Sequence, residues 1–291
     1  MGKLKKLTGF ILLLVLALAL AACGTKKEES GNGGTADNGS KENTSEETKK
    51  LIVGASNVPH AVILEKAQPI LEEKGVELEI VPFQDYILPN KNLDQGQLDA
   101  NYFQHIPYLE AQKKEFGYDF VNAGGIHIEP IGIYSKKHKK LEDLPEGAEI
   151  IMSSSVADHG RALSMLEAKG VIKLKEGIDK TTATVDDITE NSKKLKFKTD
   201  IEASLLTQVY EKNEGDAVMI NSNYAIDAGL NPMEDAIEIE DSESPYVNVI
   251  AVRAGDENRE EIKTLVEVLR SQEIQDFIKS EYKGAVVPVT E

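Results

Sequence analysis

The sequence has a single cysteine, no tryptophan and fewer basic than acidic residues, and the cysteine count and the charge each exclude a class of function. Because Cys23 is the only cysteine, no intramolecular disulfide can form, and the rest of the chain has no cysteine nucleophile or cysteine-rich metal site. The chain has 33 Lys and Arg residues and 50 Asp and Glu residues, which gives a net charge of −17. Since a nucleic acid requires a basic face, no nucleic-acid partner is expected.

The histidines are few and scattered. None of the five stands in the H-x-x-x-H or H-E-x-x-H spacing that a zinc site on a helix requires. The sequence therefore predicts neither a metal nor a cofactor. The five are His60, His105, His127, His138 and His159.

Long apolar runs are also missing, with one exception at the start of the chain. Residues 7–22 are uncharged and mostly apolar, and they follow three lysines. This run is short for a membrane-spanning helix and typical of a secretory signal peptide, which we place at residues 1–22. Residues 24–50 contain no aromatic or large aliphatic side chain, so residues 23–50 are predicted to form a flexible tether.

The end of the signal peptide, Leu20-Ala21-Ala22-Cys23-Gly24, resembles the lipobox of bacterial lipoproteins. This resemblance implies cleavage before Cys23 and lipid on that residue. The alternative is an ordinary secretory signal with a chance cysteine. Several acyl chains on one residue give a stable membrane anchor, so the resemblance implies a protein held on the extracytoplasmic face of the cell membrane.

Beyond the tether, apolar strand patterns alternate with helical patterns, which favours an α/β fold with mostly parallel sheets. Ligands of such sheets bind beyond the carboxyl ends of the strands. The loops at those ends contain His60, the segment 102–108, the segment 153–161 and the segment 221–224. We expect a binding site where these loops meet.

Three of the 16 Phe and Tyr residues lie within seven positions, at Tyr102, Phe103 and Tyr108. Pro107 suits the first turn of a helix that ends at Gly117, so Tyr102, Phe103 and His105 are expected on the loop before that helix. The rings are predicted to form an apolar cage for a ligand. Packing in the core alone is the other interpretation.

The segment 153–161 leads from a strand into a helix that is predicted to begin at Gly160. Arg161 would lie near the first turn, where the helix dipole disfavours a cation, so a partner is expected. A ligand carboxylate is one such partner, since a guanidinium binds it through two parallel hydrogen bonds. The alternative is a surface arginine paired with Asp158 or Glu167. Asn221, Asn223 and Asn248 offer further hydrogen bonds, or serve as turn and cap residues.

Six segments, taken in order, resemble the methionine-binding lipoproteins of the MetQ/NlpA family over residues 50–291. They are 54–60 (GASNVPH), 85–90 (DYILPN), 100–109 (ANYFQHIPYL), 160–163 (GRAL), 221–225 (NSNYA) and 244–248 (SPYVN). The resemblance implies a non-enzymatic binding protein that captures L-methionine between two α/β lobes and delivers it to the permease and ATPase of an ABC importer. It implies one lobe from residues 51–130 and 247–291, a second from residues 131–246, and chain crossings near 126–133 and 244–249.

The resemblance also assigns roles to individual residues. It implies that aromatic and histidine side chains surround the methionine side chain, that Arg161 binds the ligand carboxylate, and that asparagines bind the amino-acid group. Tyr102 is a further candidate for contact with the methionine side chain, and Asn223 is a further candidate for binding the amino-acid group. The implied ligand-binding residues are Tyr86, Phe103, His105, Tyr108, Arg161, Asn221 and Asn248.

Three alternatives remain open at this point. In the first, the ligand is not L-methionine but D-methionine, methionine sulfoxide or a methionine dipeptide. In the second, the protein is a surface hydrolase that uses Ser153–Ser155, Asp158 and His159. In the third, it serves in adhesion. Catalytic groups usually converge from separate loops, and the G-x-S-x-G pattern is absent, so a hydrolase is disfavoured.

Overall fold

The structure, a computed structural model, describes residues 48–241 and 244–289. The predicted signal peptide, Cys23 and nearly all of the tether lie outside the described residues. Among the described helices, none is long and apolar enough to cross a membrane.

The described part of the chain contains a six-stranded sheet, here called sheet A, a five-stranded sheet B, and a two-stranded pair. The first stretch of chain contains β1 (Lys49–Ser56), α1 (Val62–Glu73), β2 (Val76–Phe83), α2 (Leu88–Asp94), β3 (Ala100–His105), α3 (Ile106–Phe116) and β4 (Phe120–Ile128). The middle stretch contains β5 (Gly132–Tyr134), β6 (Glu149–Ser153), α4 (Val156–Ala168), β7 (Ile172–Leu174), β8 (Ile188–Asn191), β9 (Lys196–Ile201), α5 (Leu206–Glu211), β10 (Ala217–Ile220), α6 (Ser222–Asp227), α7 (Pro232–Asp235) and β11 (Glu238–Ile239). The last stretch contains β12 (Val247–Arg253), α8 (Glu260–Leu269), α9 (Gln272–Tyr282) and β13 (Val287–Pro288).

The two sheets follow the same plan. Sheet A has the order β13-β4-β12-β3-β1-β2, and sheet B has the order β11-β5-β10-β6-β9. The strands β2, β1 and β3 pair in parallel, as do β10, β6 and β9. The remaining pairings are antiparallel, so both sheets are mixed rather than mostly parallel, as the sequence had suggested. The antiparallel pairing follows from the topology. Strands β5 and β12 each follow a segment that comes from the other sheet, and each enters its own sheet at the edge where the parallel strands end, so it runs in the opposite direction to its parallel-strand neighbour.

Both faces of each sheet are covered by apolar side chains. In sheet A, helices α1, α8 and α9 bury one face around Leu51, Ile63 and Leu265, while Leu93 and Leu109 of α2 and α3 cover the other. In sheet B, α4 packs Leu163 and Leu166 on one face, and α5 and α6 cover the opposite face. The predicted α/β architecture of two layered sheets is therefore present.

The chain passes between the sheets twice. It leaves sheet A after β4, reaches β5 through residues 129–131, and returns from β11 to β12 through residues 240–246. These passages fall near the predicted crossings. The lobe boundaries at 130/131 and 246/247 stay predictions about which residues move together.

The segment that was predicted to be a loop before α3 is a strand. Ala100–His105 forms β3, pairs with β1 and β12, and is buried at every position. The polar composition of β3 does not suggest a buried strand. Asn101 and Gln104 can be buried because they form hydrogen bonds inside the protein. Asn90 accepts hydrogen bonds from both amides, at 2.9 and 2.8 Å, and itself donates to Gln104 at 3.0 Å.

Two helix predictions have different outcomes. Helix α3 has Pro107 in its first turn and ends at Gly117, which adopts a φ of 75°, as predicted. Helix α4 begins at Val156 rather than Gly160, so the predicted start was wrong. Asp158 occupies the first turn, where a carboxylate suits the helix dipole. Arg161 consequently lies in the second turn, with its side chain buried.

Candidate functional site

The seven predicted ligand-binding residues all line one cleft between the two sheets. The side chains nearly fill the cleft, whose free volume is only about 20 Å³. Sheet A and its connections supply Tyr86, Phe103, His105, Tyr108 and Asn248, while the segments after strands β6 and β10 supply Arg161 and Asn221. The cleft lies beyond the carboxyl ends of parallel strands, where α/β folds bind their ligands.

Three rings form the apolar end of the cleft. The ring centroid of Tyr86 lies 5.9 Å from those of both Phe103 and Tyr108, and Phe103 and Tyr108 are 6.0 Å apart. Local hydrogen bonds hold these rings in place. The Tyr108 hydroxyl donates to the Tyr86 carbonyl at 3.0 Å, and His105 Nδ1 caps α3 by accepting from the Tyr108 N–H at 3.1 Å. Asp85 accepts from the N–H groups of Ile87 and Leu88 at the start of α2, which fixes the turn that carries Tyr86.

Arg161 lies at the polar end and already has an acidic partner. Its side chain is only 3% exposed, which excludes the surface-arginine interpretation. Its Nε donates to Glu240 Oε2 at 2.8 Å, and Nη2 contacts both Glu240 and the Glu129 carbonyl. The ring of Tyr246 lies 4.8 Å from the guanidinium carbon. Burial opposes the charge, but Glu240 outweighs it and the pKa of Arg161 is raised.

Asp158 places a second buried charge in the cleft. Its carboxylate accepts from the Ser153 hydroxyl at 2.6 Å and from the Asn221 amide at 3.3 Å, and His105 Nε2 lies 3.8 Å away. Burial acts to raise the pKa of Asp158, but its contacts with His105 and Ser153 and the positive charge of Arg161 outweigh it, so the pKa is below its usual range. Burial also lowers the pKa of His105, which is neutral at pH 7.

Glu129 joins the cleft to a buried network in sheet A. Its Oε1 lies 2.7 Å from His127 Nε2 and 3.1 Å from His60 Nε2, and Tyr102 pairs with the far side of the His127 ring. His60 Nε2 also lies 3.1 Å from Asn248 Oδ1. Burial raises the pKa of Glu129 and lowers those of His60 and His127. Tyr102 thus lies in the core beneath the cleft and does not line it.

His60, His127 and Glu129 are residue types that bind metals, and their ligand atoms lie within 4.8 Å of one another. Both Nε2 atoms, however, face the same carboxylate oxygen at hydrogen-bond distance. If His60 used Nε2 for a metal, its Nδ1 would carry a buried proton, and that atom has no partner among the described residues. A network of neutral imidazoles therefore accounts for the geometry better than a metal centre does.

The serines after β6 do not form a catalytic arrangement. The hydroxyl of Ser153 donates to Asp158, and His159 Nε2 donates to the Ser153 carbonyl at 2.7 Å. A nucleophilic serine requires its hydroxyl to face a basic nitrogen. The geometry here does not provide one.

Sequence reasoning missed part of the cleft lining. The additional residues are Gln104, Glu129, Asp158 and Ser222, together with Asn223, which was a weaker candidate. A signal existed for Glu129, because it is the one acidic residue in the mostly apolar run from Ile126 to Tyr134. Asp158 was considered as a neighbour of Arg161, as part of a hydrolase, and within the loop 154–158, whose sequence departs from that of some relatives, so that no role in binding the ligand amine was assigned to it.

Comparison with known proteins agrees with this geometry. The family model described as NlpA lipoprotein matches residues 51–290, which is nearly all of the chain beyond the tether. The chain belongs to the NlpA lipoprotein family. Membership places it among binding lipoproteins rather than enzymes, and it agrees with the predicted lipoprotein signal.

Relatives in the NlpA family include proteins with known ligands and structures. The chain is 49% identical to the methionine-binding lipoprotein MetQ of Bacillus subtilis over 99% of its length and 100% of that protein. A nutrient-binding protein from Burkholderia cenocepacia, solved bound to methionine, is 44% identical with a TM-score of 0.77, covering 82% of this chain and 99% of that one. A periplasmic substrate-binding protein of an ABC transporter from Coxiella burnetii is 39% identical with a TM-score of 0.77, covering 82% and 100%.

Proposed function

We propose that this protein captures L-methionine in the cleft between its sheets and delivers it to the permease and ATPase of an ABC importer. In this proposal, lipid on Cys23 anchors it at the extracytoplasmic face of the membrane. Relatives named as methionine-binding, solved with methionine, or described as part of an ABC transporter support the proposal.

The observation that carries the proposal is that both aromatic and charged or polar side chains line the cleft. Three aromatic rings that lie against one another line part of the cleft, and Arg161, Asp158 and the asparagines also line it. A thioether is polarisable, and each contact between sulfur and a ring contributes about 0.3–1.5 kcal/mol. The rings therefore suit the methionine side chain, and the charged end suits its zwitterionic head.

Direct contacts across the cleft support closure of two lobes, 51–130 plus 247–291 and 131–246, around the ligand. The Tyr86 hydroxyl donates to Asn223 Oδ1 at 2.6 Å, and the Tyr224 hydroxyl reaches the Gln84 carbonyl at 3.3 Å. A cleft this narrow must open before an amino acid can enter. Hinge motion about the two chain passages provides that opening, as in other two-lobed binding proteins.

The test is isothermal titration calorimetry of the full chain in mild detergent with L-methionine. We expect tight, saturable binding by the natural protein. Arg161→Ala should weaken it by at least about 30-fold, because truncating one partner of a buried charge pair costs about 2–5 kcal/mol.

Arg259→Ala is the matched control, since that guanidinium pairs with Asp99 and Glu261 outside the cleft. It should bind as the natural protein does. Absence of heat with L-methionine, together with binding of an unrelated solute, would refute the proposal.

Competition titrations with D-methionine, methionine sulfoxide and a methionine dipeptide separate L-methionine from the related ligands.

Delivery is tested separately by methionine uptake in cells that lack the gene. Unchanged uptake would favour a role in adhesion and would contradict the importer assignment.

A further inference from the structure

The first chain passage between the sheets, residues 129–131, is attached to sheet A by the side chain of Glu129. Its Oε1 lies 2.7 Å from His127 Nε2 and 3.1 Å from His60 Nε2, and all three side chains are buried. A carboxylate only accepts hydrogen bonds, so both imidazoles carry a proton on Nε2. Glu129 therefore accepts two N–H groups from the same side of the cleft.

The backbone of the same passage is attached to the opposite side of the cleft. The Glu129 carbonyl accepts from Arg161 of α4, and the Pro130 carbonyl accepts from the Ser222 hydroxyl at the start of α6. The backbone N–H of Asn223, also in α6, forms a hydrogen bond with the Glu129 carboxylate. Both helices follow strands of sheet B, so two consecutive residues join the two sides of the cleft.

The two oxygens of the Glu129 carboxylate serve different sides. Both imidazoles face Oε1, which leaves Oε2 available to the Asn223 N–H. Burial raises the pKa of Glu129, whereas the charges of His60 and Arg161 and the Asn223 N–H act to lower it. These surrounding groups favour the carboxylate, the form that accepts hydrogen bonds through both oxygens.

We propose that Glu129 is a positioning residue for closure of the cleft: its side chain fixes the passage on sheet A, and the contacts of the passage with α4 and α6 hold the closed form. This inference rests on the proposed function, in which the cleft closes on L-methionine. The bonds to the two imidazoles persist on opening because they lie on one side of the hinge, whereas those to α4 and α6 break. Glu129 thus acts on binding through the shape of the cleft.

Glu129→Gln tests this role. The amide oxygen can still accept from both imidazoles, but the NH₂ group would face the Asn223 N–H, so the contact with α6 is lost selectively. Stopped-flow tyrosine fluorescence of the full chain in mild detergent measures both rate constants for L-methionine. We expect dissociation to be about 10- to 100-fold faster, the range for losing a hydrogen bond to a charged group, and association to change by less than about 3-fold.

Hydrogen exchange separates loss of closure from general loss of stability. In Glu129→Gln without ligand, exchange should be faster by up to about 10- to 100-fold in both 103–108 and 221–224, which lie on opposite sides of the cleft. Exchange in the core strand β1 should not change. A merely structural role for Glu129 would instead speed exchange in β1 as well.

A second variant and a matched control complete the experiment. Ser222→Ala removes the bond to the Pro130 carbonyl without changing any charge, so it should speed dissociation in the same direction, by about 3- to 10-fold. Glu79→Gln is the control, since Glu79 pairs with Lys50 at 2.6 Å on the surface and does not line the cleft. It should leave both rate constants and the exchange pattern unchanged.

Tighter binding by Glu129→Gln would show that its charge acts only by weakening Arg161, and would overturn the inference. Weaker binding with unchanged exchange in 103–108 and 221–224 would also overturn it, because Glu129 would then be a direct ligand contact. If Glu129→Gln does not fold, Ser222→Ala decides by the same two measurements. If the natural chain does not bind L-methionine, the proposed function fails, whereas exchange without ligand still decides whether Glu129 holds the cleft closed.

Discussion

At the scale of single residues, the unusual feature is the number of polar side chains buried beneath the cleft. His60, His127 and Tyr102 are fully buried and connected to Glu129 by hydrogen bonds. Burial lowers the pKa of His60 to about 4 and that of His127 to about 3, so both imidazoles are neutral in the folded protein at pH 7. The unfolded chain protonates them near pH 6.5.

This difference predicts acid sensitivity. Between pH 6.5 and about 4 the unfolded state binds more protons than the folded state, so the free energy of unfolding decreases as the pH falls. Glu129, whose pKa is raised, acts in the opposite direction and offsets part of the loss. His127→Gln should reduce the slope of stability against pH by about 1.4 kcal/mol per pH unit in this range.

Urea unfolding at several pH values measures that slope. Tyr102→Phe is the control, because it removes one hydrogen bond but leaves both imidazoles in place. It should lower stability at every pH without flattening the slope. An unchanged slope in His127→Gln would show that this histidine takes up its proton in the folded state.

At the scale of elements, helix α4 positions the charged end of the cleft. It carries Asp158 and Arg161, and Gly160 between them lies against the backbone of Lys180 and Thr181. A Cβ at position 160 would lie 2.7 Å from the Thr181 carbonyl oxygen. Backbone atoms cannot move aside as the end of a flexible side chain does, so the helix approaches this closely only because residue 160 is glycine.

Gly160→Ala should therefore destabilise the protein by about 1–3 kcal/mol, the usual range for overpacking, although alanine favours an exposed helix by about 1 kcal/mol. Thermal or urea unfolding measures the change. Ser164→Ala, one turn further along α4, should change stability by less than about 0.5 kcal/mol. A stability gain in Gly160→Ala would show that the close approach to Thr181 is absent in solution.

Element predictions succeeded where sequence periodicity carried the information. The apolar strands β6, β10 and β12 and the helix α3 appear close to their predicted positions. Strand β3 was missed because three of its six residues are the polar Asn101, Gln104 and His105, a composition typical of a loop. Burial of these residues depends on partners such as Asn90, 11 positions away from Asn101, which local patterns do not reveal.

At the scale of the whole molecule, contacts across the cleft hold the two sheets together. Tyr86 contacts Asn223, Tyr224 contacts Gln84, and His105 faces Asp158. If closure accompanies binding, a ligand stabilises the closed form only as far as it binds that form better than the open one.

Hydrogen exchange of the full chain tests this coupling. L-Methionine should slow amide exchange in both 103–108 and 221–224, which lie on opposite sides of the cleft, and leave the outer loop 212–216 unchanged. Protection on one side alone would contradict closure. At a ligand concentration of 100 times Kd, the gain in stability should be about 2.7 kcal/mol.

The sequence by itself determined the α/β class, the signal pattern, the aromatic cluster and the seven residues that meet in the cleft. These features depend on short-range periodicity, on composition, or on motifs shared with a family. Only the tertiary structure decided that Arg161 pairs with Glu240, 79 positions away, and that Asp158 is buried against Ser153, Asn221 and His105. Those outcomes depend on which side chains meet after folding, because burial and distance set the strength of a charge interaction and neither quantity is written in local sequence.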